Sequence, residues 1–116
     1  MKEAFCNIIG NAIKHSPGRD VTIWITVTDI VYDNKKFYEV SIADDGPGIP
    51  DELKHKIFQR FPRGETKAHG KGLGLFIVRS LVEQSGGKVA AADRVSGDYT
   101  KGARFVLTLP AYRGSI

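Results

Sequence analysis

Gly70-Lys71-Gly72-Leu73-Gly74-Leu75-Phe76-Ile77-Val78 sets three glycines at alternate positions directly before an apolar, helix-like run. Glycine lacks Cβ, so it accepts positive φ and lets backbone lie against a ligand. A helix that starts here points its free N–H groups and the positive end of its dipole into the preceding loop. Phosphate is the natural guest of such a place. Glycines also end loops for purely structural reasons, so the rest of the chain must decide between the two readings.

Working outward, residues 73–85 read as a helix with Leu75, Val78, Leu81 and Val82 on its buried face, stopped by Gly86-Gly87. Upstream, residues 59–71 are polar, glycine-bearing and aperiodic, which suits a mobile loop of functional length. Arg60, Arg63, Lys67, His69 and Lys71 make that loop cationic: either a phosphate-binding cluster or a solvated loop. Asp51 through Phe58 is a short helix candidate, and the run from Asp44 to Pro50 breaks any strand before it.

Val21, Ile23, Ile25 and Val27 alternate with Thr22, Trp24, Thr26 and Thr28, the pattern of a strand. Trp24 reads as core or sheet cover rather than a binding aromatic. Asp33-Asn34-Lys35-Lys36 turns the chain into a second strand, Phe37 to Ala43. Lys88 to Ala92 and Arg104 to Leu109 are the last two strands, with a polar, turn-rich connection between them. Phe5, Ile8, Ile9, Ala12 and Ile13 recur at helical spacing over residues 2–15, ended by Pro17-Gly18. Strands in adjacent pairs, separated by helices, predict an α+β two-layer sandwich with helices on one face of a mixed sheet, and not a doubly wound nucleotide fold.

The 116 residues fit one domain, 1–116, with ordinary hydrophobic (41%) and charged (26%) content. Cys6 is the single cysteine, which leaves no internal disulfide and suits a reducing cytoplasm. No apolar run approaches the ~20 residues that span a bilayer, and no secretory leader opens this stretch. A functional helix starting directly at Met1-Lys2 suggests a domain cut from a longer chain. The net charge of +4 is mild. No basic run interleaved with aromatics supports nucleic-acid binding. The three histidines lack metal-ligand spacing, and neither Ser16 nor Ser80 has a supporting nucleophile motif. Walker and dinucleotide patterns both fail: Gly64 and Gly70-Lys71 stand one residue too far apart, and Ile77 falls where the third glycine belongs.

Glu3, Asn7 and Asn11 follow one another at four-residue spacing, which stacks them on one helical stripe that Lys14 extends. Two asparagines inside a helix need a reason, since they are middling helix formers. A solvent face is one reason. Ligands for a hard cation or for phosphate oxygens are the other, because Mg²⁺ prefers oxygen donors. Asp44 ends an apolar strand and enters Asp44-x-Gly46-x-Gly48. A carboxylate backed by glycines accepts a hydrogen bond from an amine lying flat over them; a plain turn uses the same residues.

Taken in order, these motifs resemble the catalytic, ATP-binding domain of sensor histidine kinases, within the Bergerat-fold ATPases. Glu3-x-x-x-Asn7-x-x-x-Asn11-Ala12-x-Lys14 is similar to the N box, and Asp44-x-Gly46-x-Gly48-Ile49 to the first glycine box. Ile57-Phe58-Gln59-Arg60-Phe61 is similar to the F box, and Gly70-x-Gly72-Leu73-Gly74-Leu75 to the second glycine box. Thr100-Lys101-Gly102-Ala103-Arg104-Phe105, before Leu107-Thr108-Leu109-Pro110, resembles the closing glycine box and last strand. The likeness covers essentially the whole chain.

The resemblance implies ATP and Mg²⁺ as ligands. Asp44 would meet the adenine amine, with Gly46, Gly48 and Ile49 flooring its pocket. Asn7 and Asn11 would hold Mg²⁺ and phosphate oxygens, and Lys14 a phosphate. Glu3 would stand where a catalytic carboxylate is expected. Residues 59–71 would be a lid, with Arg60, Phe61, Arg63 and Lys71 as contacts; Gly70, Gly72, Leu73, Gly74 and Leu75 would bring the helix start to the phosphates. His15 occupies a place where Tyr is frequent, and Pro62 another. The implied reaction is transfer of the γ-phosphoryl group to a histidine on a separate dimerisation domain, then to a response regulator. None of His15, His55 and His69 has the sequence context of an acceptor. The domain would be monomeric and cytoplasmic, in a homodimeric parent that is membrane-anchored or soluble. Two other readings compete: a serine kinase of the anti-sigma-factor type, against which the F-box-like stretch counts, and a non-catalytic nucleotide-binding regulatory module.

Overall fold

The computed structural model describes residues 2–14, 18, 20–59 and 71–111, with the side chains of residues 71–73 excepted. Helix α1 spans Lys2–Lys14, strands β1 and β2 span Ile23–Tyr32 and Lys35–Asp44, and helix α2 spans Lys71–Gln84. Strands β3 (Lys88–Val95) and β4 (Asp98–Pro110) follow. Between β2 and α2 the expected short helix forms as two 3-10 turns, Asp51–Leu53 and Lys56–Phe58. Neither piece is long enough to offset the cost of nucleating an α-helix.

Each turn has a local cause. Asp33 and Asn34 both adopt positive φ (58° and 66°), the two-residue turn that matches strand twist. Residues Ser96 and Gly97, with Gly97 at φ 85°, close β3 onto β4. Helix α2 ends where the Gly87 N–H reaches Val82 O and the Gly86 N–H reaches Glu83 O, both at 3.0 Å, with Gly86 at φ 91°. That bond pair is the left-handed C-terminal cap that glycine favours.

The four strands lie in the order β1-β2-β4-β3, and every neighbouring pair is antiparallel. The two-layer α+β sandwich is as expected, but among the described strands the sheet is not mixed. Strands β2 and β3 do run parallel, joined through α2, yet β4 lies between them. The connection through α2 spans the gap, and antiparallel pairing to β4 takes both hydrogen-bonded edges inside it.

The core lies between the helices and one face of the sheet. Ile8 and Ala4 of α1, Val78 and Val82 of α2, and Leu107, Phe105, Val40 and Ile42 of the sheet are all buried. Phe58, from the second 3-10 turn, meets Phe105 edge-on, with ring centroids 6.0 Å apart. The helix layer stops short of β1. By register Ile25 and Val27 share the core-side face with Ile42 and Val40, yet they are 54% and 62% exposed. Trp24, on the opposite face, lies under the Arg94 guanidinium at 4.9 Å, as sheet cover.

Ile8 is 1% exposed in this single core. Ile8→Ala is therefore expected to cost about 2–5 kcal/mol. Urea denaturation followed by circular dichroism measures it.

Candidate nucleotide site

Asp44 closes β2 and is 8% exposed, the one buried charged residue among those described. Its Oδ1 accepts the Gly46 N–H at 2.9 Å and the Ala103 N–H, from the neighbouring strand β4, at 3.4 Å. Both bonds use one oxygen, which leaves Oδ2 as the acceptor without a partner among the described residues. The hydrogen bonds that bend the chain after Asp44 thus also hold its carboxylate in place.

Two glycines make the surrounding backbone fit together. At Gly48, φ is 80° and a Cβ would stand 1.7 Å from the Tyr99 carbonyl oxygen. At Gly102, φ is 119° and a Cβ would stand 1.9 Å from the Asp44 carbonyl oxygen. Strand β2 and its following loop interlock with β4 at van der Waals distance, which only glycine permits at these points. Gly46 is buried, and Ile49 is half-buried against the core.

A concavity lies where α1 packs on α2; Asp44, Gly46, Gly48 and Ile49 are not among its lining residues. A cavity of about 250 Å³ is lined there by Cys6, Asn7, Gly10, Asn11, Lys14, Gly74 and Leu75. Asn7 and Asn11 are half-buried, Lys14 is exposed, and Asn7 Oδ1 would lie 3.7 Å from a Cβ on Gly74. Glu3 lies on the same helix, exposed, and does not line the cavity.

Helix α2 starts at Lys71, so Gly72 and Gly74 lie inside its first turn and not in the loop before it. The first four N–H groups of a helix have no partner within it. The cavity therefore combines carboxamides, an ammonium and a helix start. No group of three or more His, Cys, Asp or Glu suited to a metal occurs among the described residues. Carboxamide oxygens alone make a weak cation site. They suit Mg²⁺ that arrives on phosphate oxygens and keeps several waters.

Sequence reading missed Cys6 and Gly10. Asn7, Gly10, Asn11 and Lys14 fall at i, i+3, i+4 and i+7, and that spacing is the signal that marks Gly10. His15, Arg60, Phe61, Arg63 and Gly70 lie outside the described residues, as does most of the expected lid. Lys71, Gly72 and Leu73 are placed as helix backbone.

The model of the histidine kinase-, DNA gyrase B-, and HSP90-like ATPase family matches residues 1–113, and the chain belongs to that family. Among similar proteins is the adaptive-response sensory kinase SasA of Synechococcus sp. (strain CC9311), 33% identical over 117 residues. That match takes in 98% of this chain but 28% of the relative, so the chain spans under a third of it. The structure of the mycobacterial sensor histidine kinase MprB superposes with a TM-score of 0.74 at 31% identity, covering 93% of this chain and 70% of that one. Full-length ShkA, in complex with AMPPNP, superposes with a TM-score of 0.67 at 29% identity, covering 94% of this chain and 21% of that one. The fold is that of a histidine kinase catalytic domain. Among the described residues no helix is long and apolar enough to cross a membrane.

Proposed function

We propose that this domain binds Mg-ATP and transfers its γ-phosphoryl group to a histidine on a dimerisation domain of a longer sensor kinase. The cavity that gathers Asn7, Asn11, Lys14 and the first turn of α2 carries the reading. Asp44 Oδ2 accepts the adenine amine, while Oδ1 stays with its two backbone donors. Gly46, Gly48 and Ile49 form the floor beneath the base.

Asn7 and Asn11 orient phosphate oxygens, and Lys14 adds a cation at the cavity's edge. Mg²⁺, when bound, neutralises charge on the phosphates. Lys71, Gly72, Leu73, Gly74 and Leu75 present the helix start; His15, after α1, would lie near the phosphates, and Arg60, Phe61, Arg63 and Gly70 would be the lid's contacts. Phosphoryl transfer depends on positioning and charge neutralisation more than on covalent help from the protein. Glu3, outside the cavity lining, acts at most on the approaching imidazole and not on the nucleotide.

The acceptor histidine and the response regulator that takes the phosphoryl group belong to other domains, with residues 1–116 as the nucleotide-binding unit on the cytoplasmic side of the parent. The ShkA–AMPPNP complex supports nucleotide binding by this fold. Calorimetric titration of the folded chain with ATP or ADP and Mg²⁺ tests the first half; no binding at millimolar ligand would sink it. Adding a histidine-bearing dimerisation domain tests the second. An acid-labile phosphohistidine is the expected product. An acid-stable phosphoserine in a protein partner would point instead to a serine kinase, and nucleotide binding without transfer to a regulatory module.

A further inference from the structure

Lys54 lies between the two 3-10 turns, away from the cavity on α1. Its Nζ donates to Ile49 O at 2.9 Å, pairs with the exposed Asp51 carboxylate, and stands 2.8 Å from Asp93 Oδ1 on β3. It also lies 5.8 Å from the centre of the Tyr99 ring on β4. The Lys54 and Asp93 side chains are only 18% and 16% exposed. The approach to Asp93 is an ion pair outside hydrogen-bonding angles, so the buried Asp93 Oδ1 has the Lys54 charge but no well-directed donor among the described residues. Contacts with Asp51 and Asp93 hold the Lys54 ammonium above the usual lysine pKa, so it stays charged at neutral pH.

What these partners share is the base pocket. Ile49 ends its floor. Asp93 stands opposite Ala103, the donor to Asp44. Tyr99 supplies the carbonyl against which Gly48 packs. One ammonium thus ties the loop after β2 to the β3–β4 hairpin, the two parts that also meet through Gly48 against Tyr99 and Asp44 against Ala103.

We infer that Lys54 is a positioning residue for the adenine pocket, clasping the Gly46–Ile49 loop to Asp93 on the β3–β4 hairpin. It rests on the proposed nucleotide site but touches no part of the ligand. An ordinary surface ion pair would contribute little and would leave Asp44 unmoved.

Lys54→Met and Lys54→Arg in the full chain test it, with two readouts. In the first, the backbone amide resonances of Gly46, Gly48 and Ala103 are compared without nucleotide. They are expected to shift in Lys54→Met and to return toward wild type in Lys54→Arg. In the second, ADP titration with Mg²⁺ is expected to show about 2- to 30-fold weaker binding for Lys54→Met, the range of coupling through a contact network, with Lys54→Arg near wild type. Unmoved amides in Lys54→Met, or unchanged ADP affinity, overturn the clasp. If the wild-type chain binds no ADP, the nucleotide reading fails and the amide comparison alone decides whether Lys54 sets the loop.

Discussion

Asp44→Asn is expected to weaken ADP binding by roughly 30- to 160-fold while leaving the domain folded. The asparagine oxygen can still accept the Gly46 and Ala103 N–H groups, as Oδ1 does now. Its NH₂ then takes the place of Oδ2 and faces the adenine amine, donor against donor. A charge-assisted hydrogen bond is lost and a mismatch replaces it, about 2–3 kcal/mol in a partly buried site. Asp44→Ala differs in kind: it also strands two backbone donors, so stability falls together with affinity. Calorimetry with ADP, beside thermal melts without nucleotide, separates the two effects. Wild-type affinity in Asp44→Asn would remove Asp44 from the site.

Gly102→Ala is expected to have the larger effect on the fold, about 2–4 kcal/mol, since strained backbone conformations alone cost about 1–3 kcal/mol. Two costs combine. The residue sits at φ 119°, a region that side chains rarely adopt, and its Cβ would lie 1.9 Å from the Asp44 carbonyl oxygen. Relieving the clash means pushing β4 from the end of β2, which moves the Ala103 donor away from Asp44. ADP affinity should therefore fall even under conditions where the variant remains folded. Gly97→Ala is the control. Gly97 also has positive φ, 85°, but nothing lies within 4 Å of its Cβ position. It should lose only the conformational part, about 1–2 kcal/mol, and keep its affinity. Equal losses at the two positions, read from denaturation midpoints, would refute the steric account.

Both effects depend on contacts between distant segments, and this is also where sequence reading ran out. The helices were legible because Ile8, Val78 and Val82 repeat with the helical period, and the first hairpin because Asp33-Asn34 is strong turn chemistry. The Asn7 and Asn11 stripe was legible because a helix converts spacing directly into alignment. Strands β3 and β4 were read too short. Asp93, Arg94, Asp98 and Thr100 look like turn residues, but they lie within the strands, where pairing across the hairpin and not polarity decides. Strand β1 was likewise cut early, before Ile30 to Tyr32. The pairing of Lys54 with Asp93 leaves no local trace. It exists because β3 and the 3-10 turns meet only after the sheet has formed. The resemblance located Asp44 and the glycines, but it could not show that one carboxylate oxygen serves the fold and the other remains open.

The strand order has a kinetic consequence. Each hairpin closes over a few residues and can form early, independently of the other. Joining β2 to β4 brings together residues 59 positions apart, Asp44 and Ala103. Closing so long a loop is entropically costly, and chains dominated by such contacts fold slowly. The proposed base pocket lies on that last seam. Before it closes, the chain has helices and hairpins but nowhere to place adenine, so nucleotide bound as proposed would stabilise only the finished domain. Its expected influence is to hold the seam shut and slow unfolding, with little effect on how fast the domain first assembles.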